Sequence, residues 1–460
     1  MTIEEFGRLL RSRELTALDF TEACLRRIDE QQPRLNAFIH VMADEARRDA
    51  EAADRELAAG RDRGPLHGVP IAVKDLIDIA GVPTTAASRV RQGHVAAADA
   101  PVIARLRDAG AVLVGKTNLD EFAFGTTSEN SAFGAVRHPR DPARSPGGSS
   151  GGSAVAVAAG LALAALGTDT GGSIRIPAAA CGIVGLKPTL GEISTEGVVP
   201  LSSTFDHLGP FARTASDATL VYRVMAGLTR PALQATAPAL HAGQAKPALA
   251  GAALPARLGI PRAYFCDLLD VDVCARFEDA IAIMRAAGAE VRDVDIPHAS
   301  DTPAVYMHIH STEGAAYHAR TLDSMADRYT PVVRRRLEVG RYVLAQDYVR
   351  AMEGREVLRD EVDAALADCD ALVLPTLPIP APSIGAESVT VNGKEQPVRA
   401  LMLRLTQLFN VTGHPAISIP CGATSEGLPV GLQIVGPRSQ TESLLAVARG
   451  IEETLEVRSI

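Results

Sequence analysis

The chain has 460 residues, of which 47% are hydrophobic, so it can bury a large core and could hold two or three domains of average size. Its formal net charge of −9, with no run of basic residues, argues against nucleic-acid binding by this chain. Six cysteines without a CxxC pair are typical of reduced cytoplasmic thiols rather than of disulfides. The sequence starts without a signal-peptide pattern, and the longest apolar run, 154–167, is too short to span a bilayer. We therefore expect a cytoplasmic protein that is not inserted in a membrane.

Strands and helices alternate through the first half of the sequence. Thr2 and Thr16 each stand three positions before an acidic residue, Glu5 and Asp19, which is the pattern that begins a helix. This rhythm predicts an α/β fold with helices on both faces of a sheet. The predicted elements of this half are the helices 43–59 and 101–109 and the strands 36–41, 69–73, 111–114, 161–166 and 182–186.

The second half follows a segment rich in Ala, Pro and Gly, 229–256, which we interpret as an excursion between two halves of one structure. Residues 375–382 are rich in proline and should be extended or looped. The Asn392-Gly393 pair predicts a hairpin over 389–398. The other predicted elements are the helices 271–287, 346–367 and 440–453 and the strands 289–293, 371–374, 416–419 and 430–435.

The most informative segment is 145–189, where two clusters of glycine and serine, 147–153 and 171–173, enclose a run of small apolar residues. A flexible linker would share the glycines but not that apolar run. Ser173 follows two glycines and precedes a predicted helix, so the N–H groups of Gly171, Gly172 and Ser173 should be unpaired. Such a turn predicts a nucleophile beside an oxyanion hole, although Ser173 could instead only cap the helix.

A serine nucleophile needs a base, and no histidine lies in this segment. His138, His207 and His414 adjoin proline or acidic residues in predicted loops, and no GxSxG motif surrounds Ser173. Lys74 follows an apolar strand, where desolvation would lower its pKa and let it act as a base. A solvated lysine at the end of a strand is the alternative.

The segments GGSSGGS, GTDTGGSIRIPA and CGIVGLKPT, together with GVPIAVKDLID (68–78) and GKTNLDE (115–121), resemble the amidase signature family of serine hydrolases over most of the chain. The resemblance implies one domain, 1–460, built on a single large mixed β-sheet with helices on both faces. Its catalytic core would span about 60–215 and a variable substrate-pocket half about 257–460. It also implies hydrolysis of a C–N bond beside a carbonyl without a cofactor, and the sequence contains no HExxH or CxxC metal motif.

The same resemblance assigns roles to individual residues. Lys74 would be the base, Ser149 the bridging serine and Ser173 the nucleophile that forms an acyl-enzyme. Ser149 would follow a cis peptide bond, Gly148–Ser149, and Ser150 competes for its role. The remaining implied roles are substrate or oxyanion binding by Thr170, Gly171 and Gly172, an acyl-pocket wall at Ala123 and Phe124, bracing of the turn by Asp169 and Arg175, and structural roles for Lys116 and Lys187.

Three functions stay open at this point. One is the A subunit of a glutamyl-tRNA amidotransferase, but the acidic residue that holds the glutamine ammonium there is replaced here by Leu403 or Arg404, although Arg334 to Arg336 could receive a carboxylate. Another is hydrolysis of carbamates or urea-like substrates, because SVTVNGKEQP resembles carboxybiuret- and carbamate-cleaving members. A phosphate-binding protein would need GxxxxGK[ST], which is absent.

We accordingly expect a small-molecule amide or carbamate as substrate, no nucleic-acid or membrane partner, and a monomer or homodimer. In this family the pocket walls come from variable loops, here predicted at 302–330 and 375–402.

Overall fold

The computed structural model describes residues 1–228 and 256–456. Most of the predicted excursion, 229–255, therefore lies outside the described residues. The helices of the described residues are α1 Ile3–Arg11, α2 Ala17–Leu35, α3 Ala43–Ala58, α4 Pro101–Asp108, α5 Gly151–Ala158, α6 Arg175–Cys181, α7 Ala215–Met225, α8 Arg262–Phe265, α9 Val271–Ala286, α10 Thr302–Met325, α11 Pro331–Gly340, α12 Ala345–Leu366, α13 Val398–Arg404, α14 Leu408–Val411 and α15 Thr441–Leu455.

Eleven strands of the described residues form one sheet in the order β1-β3-β2-β4-β6-β5-β12-β13-β9-β7-β8, and β10 and β11 form a separate hairpin. The strands are β1 Phe38–Val41, β2 Pro70–Lys74, β3 Val112–Thr117, β4 Ala164–Asp169, β5 Val184–Lys187, β6 His207–Ala212, β7 Arg257–Ile260, β8 Glu290–Asp293, β9 Ala371–Pro375, β10 Ser388–Val391, β11 Lys394–Pro397, β12 Ala416–Ala423 and β13 Pro429–Val435.

The large sheet is mixed, as the resemblance implies. Strand β2 pairs in parallel with β3 and β4, and β7 pairs in parallel with β8 and β9. Between these two groups, the pairs β4–β6, β6–β5, β5–β12 and β12–β13 are antiparallel. Every residue of β2 through β6 is buried, on both faces of the sheet. Strands buried on both faces must be covered by other elements on each side, and α5, α6 and α7 all pack against this central region.

Local signals predicted these elements well. The hydroxyls of Thr2 and Thr16 accept the backbone N–H groups of Glu5 and Asp19, at 3.0 Å in both cases. The predicted hairpin is confirmed, because β10 and β11 pair around Asn392 and Gly393, whose φ angles are +50° and +72°.

The predicted loop 302–330 is wrong. Residues 302–325 form α10, a continuous helix of 24 residues that begins with Pro303 in its first turn. The helix buries Tyr306, Ile309 and His310 on one face, with the spacing of successive helical turns. A helix rather than a loop therefore forms this part of the substrate-pocket half. Within the described residues, no helix is long and apolar enough to cross a membrane.

Two parallel strands place the site. Strands β2 and β4 are parallel, and Val73 lies opposite Leu166, so the carboxyl ends of both strands lie at the same edge of the sheet. Lys74 is the last residue of β2 and Asp169 is the last residue of β4. The crevice beyond the carboxyl ends of parallel strands is where α/β proteins commonly bind ligands.

Candidate active site

Lys74 ends in a pocket of hydroxyl groups. Its Nζ donates to Ser149 Oγ at 2.8 Å, to Ser150 Oγ at 2.7 Å and to Thr168 Oγ1 at 2.7 Å. The side chain is 0% exposed, and no described carboxylate lies within 4.0 Å of Nζ. The alternative of a solvated lysine is therefore wrong, because Ser149 and Ser150, just before α5, and Thr168 of β4 surround its ammonium group.

Burial controls the protonation of Lys74. Loss of hydration disfavours the ammonium ion and lowers the pKa of Lys74 to about 7, although the carboxylates of Asp120, Asp169 and Asp206 oppose this shift from a distance. Hydroxyl partners accept hydrogen bonds from an ammonium but do not neutralise its charge. A lysine in this environment can be neutral near pH 7 and so can accept a proton.

The two serines beside Lys74 differ in their other partners. Ser150 Oγ donates to the carbonyl oxygen of Thr168 at 3.1 Å, so its proton is already engaged. Among the described residues, Ser149 Oγ has a hydrogen bond only with Lys74, so its proton is not engaged by another acceptor. The Gly148–Ser149 peptide bond is cis, as predicted.

The turn between β4 and α6 carries Ser173. Gly172 has a φ of +133°, and a side chain there would collide with the hydroxyl of Thr406. The Thr406 hydroxyl donates to the carbonyl oxygen of Gly171 at 2.6 Å, which ties the turn to the segment before α14. Glycine is thus required at position 172 both by backbone conformation and by space.

A buried ion pair supports this turn from below. Arg175 Nη2 lies 2.9 Å from Asp169 Oδ1, and both side chains are 0% exposed. Burial alone would raise the pKa of Asp169, but the Arg175 guanidinium holds it below its usual value. The predicted bracing role of Asp169 and Arg175 is confirmed by the bonds that Asp169 accepts from the backbone N–H groups of Gly172, at 2.8 Å, and Ile174, at 3.1 Å.

These bonds correct one prediction, since the N–H of Gly172 is not free but engaged by Asp169. The N–H groups of Gly171 and Ser173 donate to no described residue, so these two remain available to an oxyanion. The Ser173 hydroxyl has no hydrogen-bond partner among the described residues, and the side chain is 6% exposed. Ser173 lies next to the hydroxyl pocket, because the N–H of Ser150 donates to its carbonyl oxygen at 3.3 Å.

Sequence reasoning missed several residues that hold the site. Thr170 Oγ1 donates to Asp206 Oδ1 at 2.6 Å, and burial raises the pKa of Asp206 to about 6. The amide of Asn410 donates to the carbonyl and the carboxylate of Asp169, at 3.0 and 2.8 Å. Nothing near these residues in the sequence indicates such contacts, because they lie more than 35 residues from their partners.

Among the described residues, the other lysines and histidines have no hydrogen bond to the hydroxyls around Lys74. Lys116 pairs with Asp75 at 3.0 Å, and Lys187 donates to the carbonyl of Pro188 at 3.2 Å, in agreement with structural roles. His207, predicted in a loop, is the first residue of β6, where its Nε2 lies 3.2 Å from Lys187 Nζ. Within the described residues, no group of three or more His, Cys, Asp or Glu side chains could hold a metal ion.

Ala123 is the last residue of a short buried 3₁₀ turn, Glu121–Ala123, and Phe124 follows it directly. The guanidinium groups of Arg336 and Arg399 lie 6.0 Å and 5.7 Å from the centre of the Phe124 ring. Leu403 approaches the nucleophile turn, since a Cβ atom on Gly171 would lie 3.1 Å from its Cδ2. Of the two residues predicted at the place of the amidotransferase's acidic residue, Leu403 is thus close to the turn, and the Arg404 guanidinium lies 3.9 Å from the centre of the Tyr264 ring.

A family model described as Amidase matches residues 19–445. The chain belongs to the amidase family. It is 41% identical to the A subunit of the glutamyl-tRNA(Gln) amidotransferase of Roseiflexus castenholzii, over 97% of this chain and 94% of that protein. A crystal structure of an amidase superposes with a TM-score of 0.90 at 39% identity, covering 98% of this chain and 99% of that one.

An inhibitor-bound complex that bears on the evolutionary origins of an s-triazine catabolic enzyme superposes with a TM-score of 0.91 at 35% identity, covering 100% of this chain and 99% of that one. Full-length agreement with several amidase-family structures establishes the α/β fold with its mixed sheet. The protein is an amidase-family enzyme, and its relatives include both amidases and components of an amidotransferase.

Proposed function

We propose that this enzyme hydrolyses a small linear amide through an acyl-enzyme on Ser173, with Ser149 and Lys74 as the proton relay and without a metal or cofactor. The observation that carries the proposal is the pocket of Lys74, which supplies three hydroxyl groups and no described carboxylate within 4.0 Å. A buried lysine without a counter-ion is costly to retain unless its neutral form is used.

In the first half of the reaction, neutral Lys74 accepts the proton of Ser149 while Ser149 accepts the proton of Ser173. The Ser173 oxygen then bonds to the carbonyl carbon of the amide, and the N–H groups of Gly171 and Ser173 stabilise the negative charge on the carbonyl oxygen. Each such donor is worth about 3 kcal/mol in the transition state.

In the second half, the C–N bond breaks as the proton held by Lys74 returns through Ser149 to the leaving nitrogen. The acyl group remains as an ester on Ser173. A water molecule then gives its proton to the same relay and attacks the ester carbon. The bond from that carbon to Ser173 Oγ breaks as the relay returns the proton to Ser173, which releases the carboxylic acid and restores the free enzyme.

The decisive experiment is Ser173→Ala, which removes the hydroxyl but keeps the backbone N–H groups of the turn. We expect kcat to fall by at least about a thousandfold while the circular dichroism spectrum and Tm stay unchanged. A fluorophosphonate probe should label the wild type on Ser173 and fail to label the variant. Substantial activity in Ser173→Ala, or activity lost in EDTA and restored by zinc, would contradict the proposal.

A second candidate is the A subunit of an amidotransferase, favoured by the 41% identity to such a protein. The residues at the expected place, Leu403 beside Gly171 or Arg404, speak against it, because neither supplies a carboxylate for a glutamine ammonium. Hydrolysis of glutamine by the purified chain, or only after addition of partner chains, would favour this alternative.

Carbamates and urea-like compounds are alternative substrate classes for the same site. The β10–β11 hairpin carries the segment that resembles carbamate-cleaving members, and one similar structure bears on the origins of an s-triazine catabolic enzyme. A panel of aryl amides, aliphatic amides, carbamates and glutamine, each measured with Ser173→Ala as the blank, separates these substrate classes.

A further inference from the structure

The residue just before the two glycines of the nucleophile turn is bonded to a carboxylate from a neighbouring strand. Strands β4 and β6 are antiparallel, and Asp169 at the end of β4 lies opposite His207 at the start of β6. The next residues outward, Thr170 and Asp206, therefore meet just beyond the edge of the sheet, where Thr170 Oγ1 donates to Asp206 Oδ1 at 2.6 Å. This bond ties the turn to a residue that lies 36 positions away in the sequence.

Thr170 controls one of the two N–H groups that are available to an oxyanion. The carbonyl of Thr170 and the N–H of Gly171 belong to one planar peptide group, so the orientation of Thr170 directs that N–H. The next peptide group is held separately, because the Thr406 hydroxyl donates to the Gly171 carbonyl oxygen at 2.6 Å. Among the described residues, the Thr170 hydroxyl bonds only to Asp206. The direction of the Gly171 N–H thus depends on where the Asp206 carboxylate is held.

Asp206 is itself fixed by the segment that precedes it. Its Oδ2 accepts the backbone N–H groups of Leu201 and Ser202, at 2.9 and 3.1 Å, and its own N–H donates to the Ser202 carbonyl oxygen at 2.9 Å. Segment 201–206 therefore closes on its own carboxylate. A carboxylate that accepts bonds from two fixed backbone donors has one defined orientation, which leaves Oδ1 in place for Thr170.

The same segment is anchored to α10 on the side away from the turn. Glu313 of α10 accepts the N–H of Thr204 at 3.2 Å and its hydroxyl at 2.9 Å. The Phe205 ring stacks on Tyr306, with ring centres 5.7 Å apart and an angle of 7° between the planes. Tyr306 also lines, with Arg399 of α13, a cavity of about 370 Å³ beside the turn. Asp206 is thus carried by a well-braced segment, so it can position Thr170 rather than follow it.

We propose that Asp206 is a positioning residue for the hydrolysis: its carboxylate holds Thr170 and so aims the Gly171 N–H at the carbonyl oxygen of the substrate. Asp206 transfers no proton and acts through Thr170. Its alignment matters because oxyanion donors stabilise developing charge most when they are fixed in place before the reaction. The inference rests on the proposed function, since it assigns the residue that aligns the oxyanion hole of that same site.

The first test removes the hydroxyl of Thr170 at nearly constant volume. In Thr170→Val at about pH 9, where Lys74 and Asp206 are both deprotonated, kcat should fall at least about tenfold and KM should change less than about threefold, because the donor acts mainly in the transition state. Thr170→Ser keeps the hydroxyl and should recover most of kcat. Thr219→Val on α7 is the matched control, since it removes a hydroxyl bond of 2.7 Å to the Ala215 carbonyl away from the site; its kcat and KM should match the wild type.

A double-mutant cycle tests whether Asp206 acts through Thr170. Asp206→Asn should lower kcat at least about tenfold, and Thr170→Val combined with Asp206→Asn should lower it at most about threefold further, since the bond is already lost. The rate is expressed per site labelled to completion by the fluorophosphonate probe, so misfolded protein does not contribute. If Asp206→Asn does not fold, the contrast between Val and Ser at position 170 decides.

Two results would overturn the inference: wild-type kcat in Thr170→Val, or losses that multiply in the double variant. Equal losses in Thr170→Val and Thr170→Ser would do the same, because the hydroxyl would then not be the feature that matters. The proposed function would survive each of these results as long as Ser173→Ala is inactive. An active Ser173→Ala would instead contradict the proposed function itself.

Discussion

Lys74 and Lys116 lie on neighbouring parallel strands, and both are 0% exposed. Lys116 Nζ lies 3.0 Å from the Asp75 carboxylate and also donates to Thr84 Oγ1 at 3.0 Å and to the carbonyl of Pro83 at 3.2 Å. Lys74 has three hydroxyls instead. Burial lowers the pKa of both lysines, but at Lys116 the adjacent Asp75 carboxylate opposes the shift directly, whereas the hydroxyls around Lys74 leave the desolvation penalty uncompensated at short range.

Lys74 and Asp75 are adjacent in sequence, so one short segment provides both the lysine of the hydroxyl pocket and the carboxylate that pairs with Lys116. Successive residues at the end of a strand point to opposite sides, so the Asp75 carboxylate reaches Lys116 and not the pocket of Lys74. The first lysine is therefore suited to proton transfer and the second to holding the fold together. Substitutions at the two lysines should accordingly have different effects on activity and on stability.

The largest effect is expected from substitution of Lys74. Lys74→Ala and Lys74→Arg should each lower kcat by at least about a thousandfold, since neither can accept a proton from Ser149. Steady-state kinetics on the best amide of the panel provides the measurement. If Lys74→Arg kept substantial activity, a positive charge rather than a neutral amine would be the requirement, and the contrast with Lys116 would fail.

The next effect separates the two serines beside Lys74. Ser149→Ala should lower kcat by about a hundredfold or more, because it removes the link between Lys74 and Ser173. Ser150→Ala should cost less than about tenfold, since the Ser150 proton is engaged by Thr168 and does not move in the proposed reaction. A reversed order in single-turnover measurements would transfer the bridging role to Ser150.

The pH dependence should follow the ionisation of Lys74. With a pKa of about 7, the amine is protonated and inactive below that value, so kcat/KM should fall about tenfold per pH unit below pH 7 and level off above it. Lys116→Met should keep the same profile. A plateau reached only near the ordinary lysine pKa would show that burial does not control this group.

The smallest effect on activity, and a clear effect on stability, is expected at Lys116. Lys116→Met leaves the buried Asp75 carboxylate without its cation, which should lower the free energy of unfolding by about 3–5 kcal/mol. Lys116→Met with Asp75→Leu should recover much of that loss, because it removes both charges. Urea denaturation measures both, and kcat per folded molecule should change little in either variant.

Much of the site could be predicted from sequence because its determinants are local. An apolar run before Lys74, paired glycines before Ser173 and threonine caps at two helices each depend on neighbouring residues. The cis bond before Ser149 and the bracing by Asp169 came only from the resemblance. The sequence did not predict that Asp169 would engage the N–H of Gly172, because that bond depends on how the turn closes on the carboxylate.

The tertiary structure alone decided what surrounds each of these residues. Thr168 reaches Lys74 across 94 positions, Asn410 reaches Asp169 across 241, and α10 brings Tyr306 and His310 to the same cavity wall as Arg399 of α13. Residue type and local pattern determine which groups can do chemistry. Desolvation and charge compensation sum over every neighbour in space, so only the packed sheet and its helices determine that Lys74 lacks a counter-ion among the described residues and Lys116 has one.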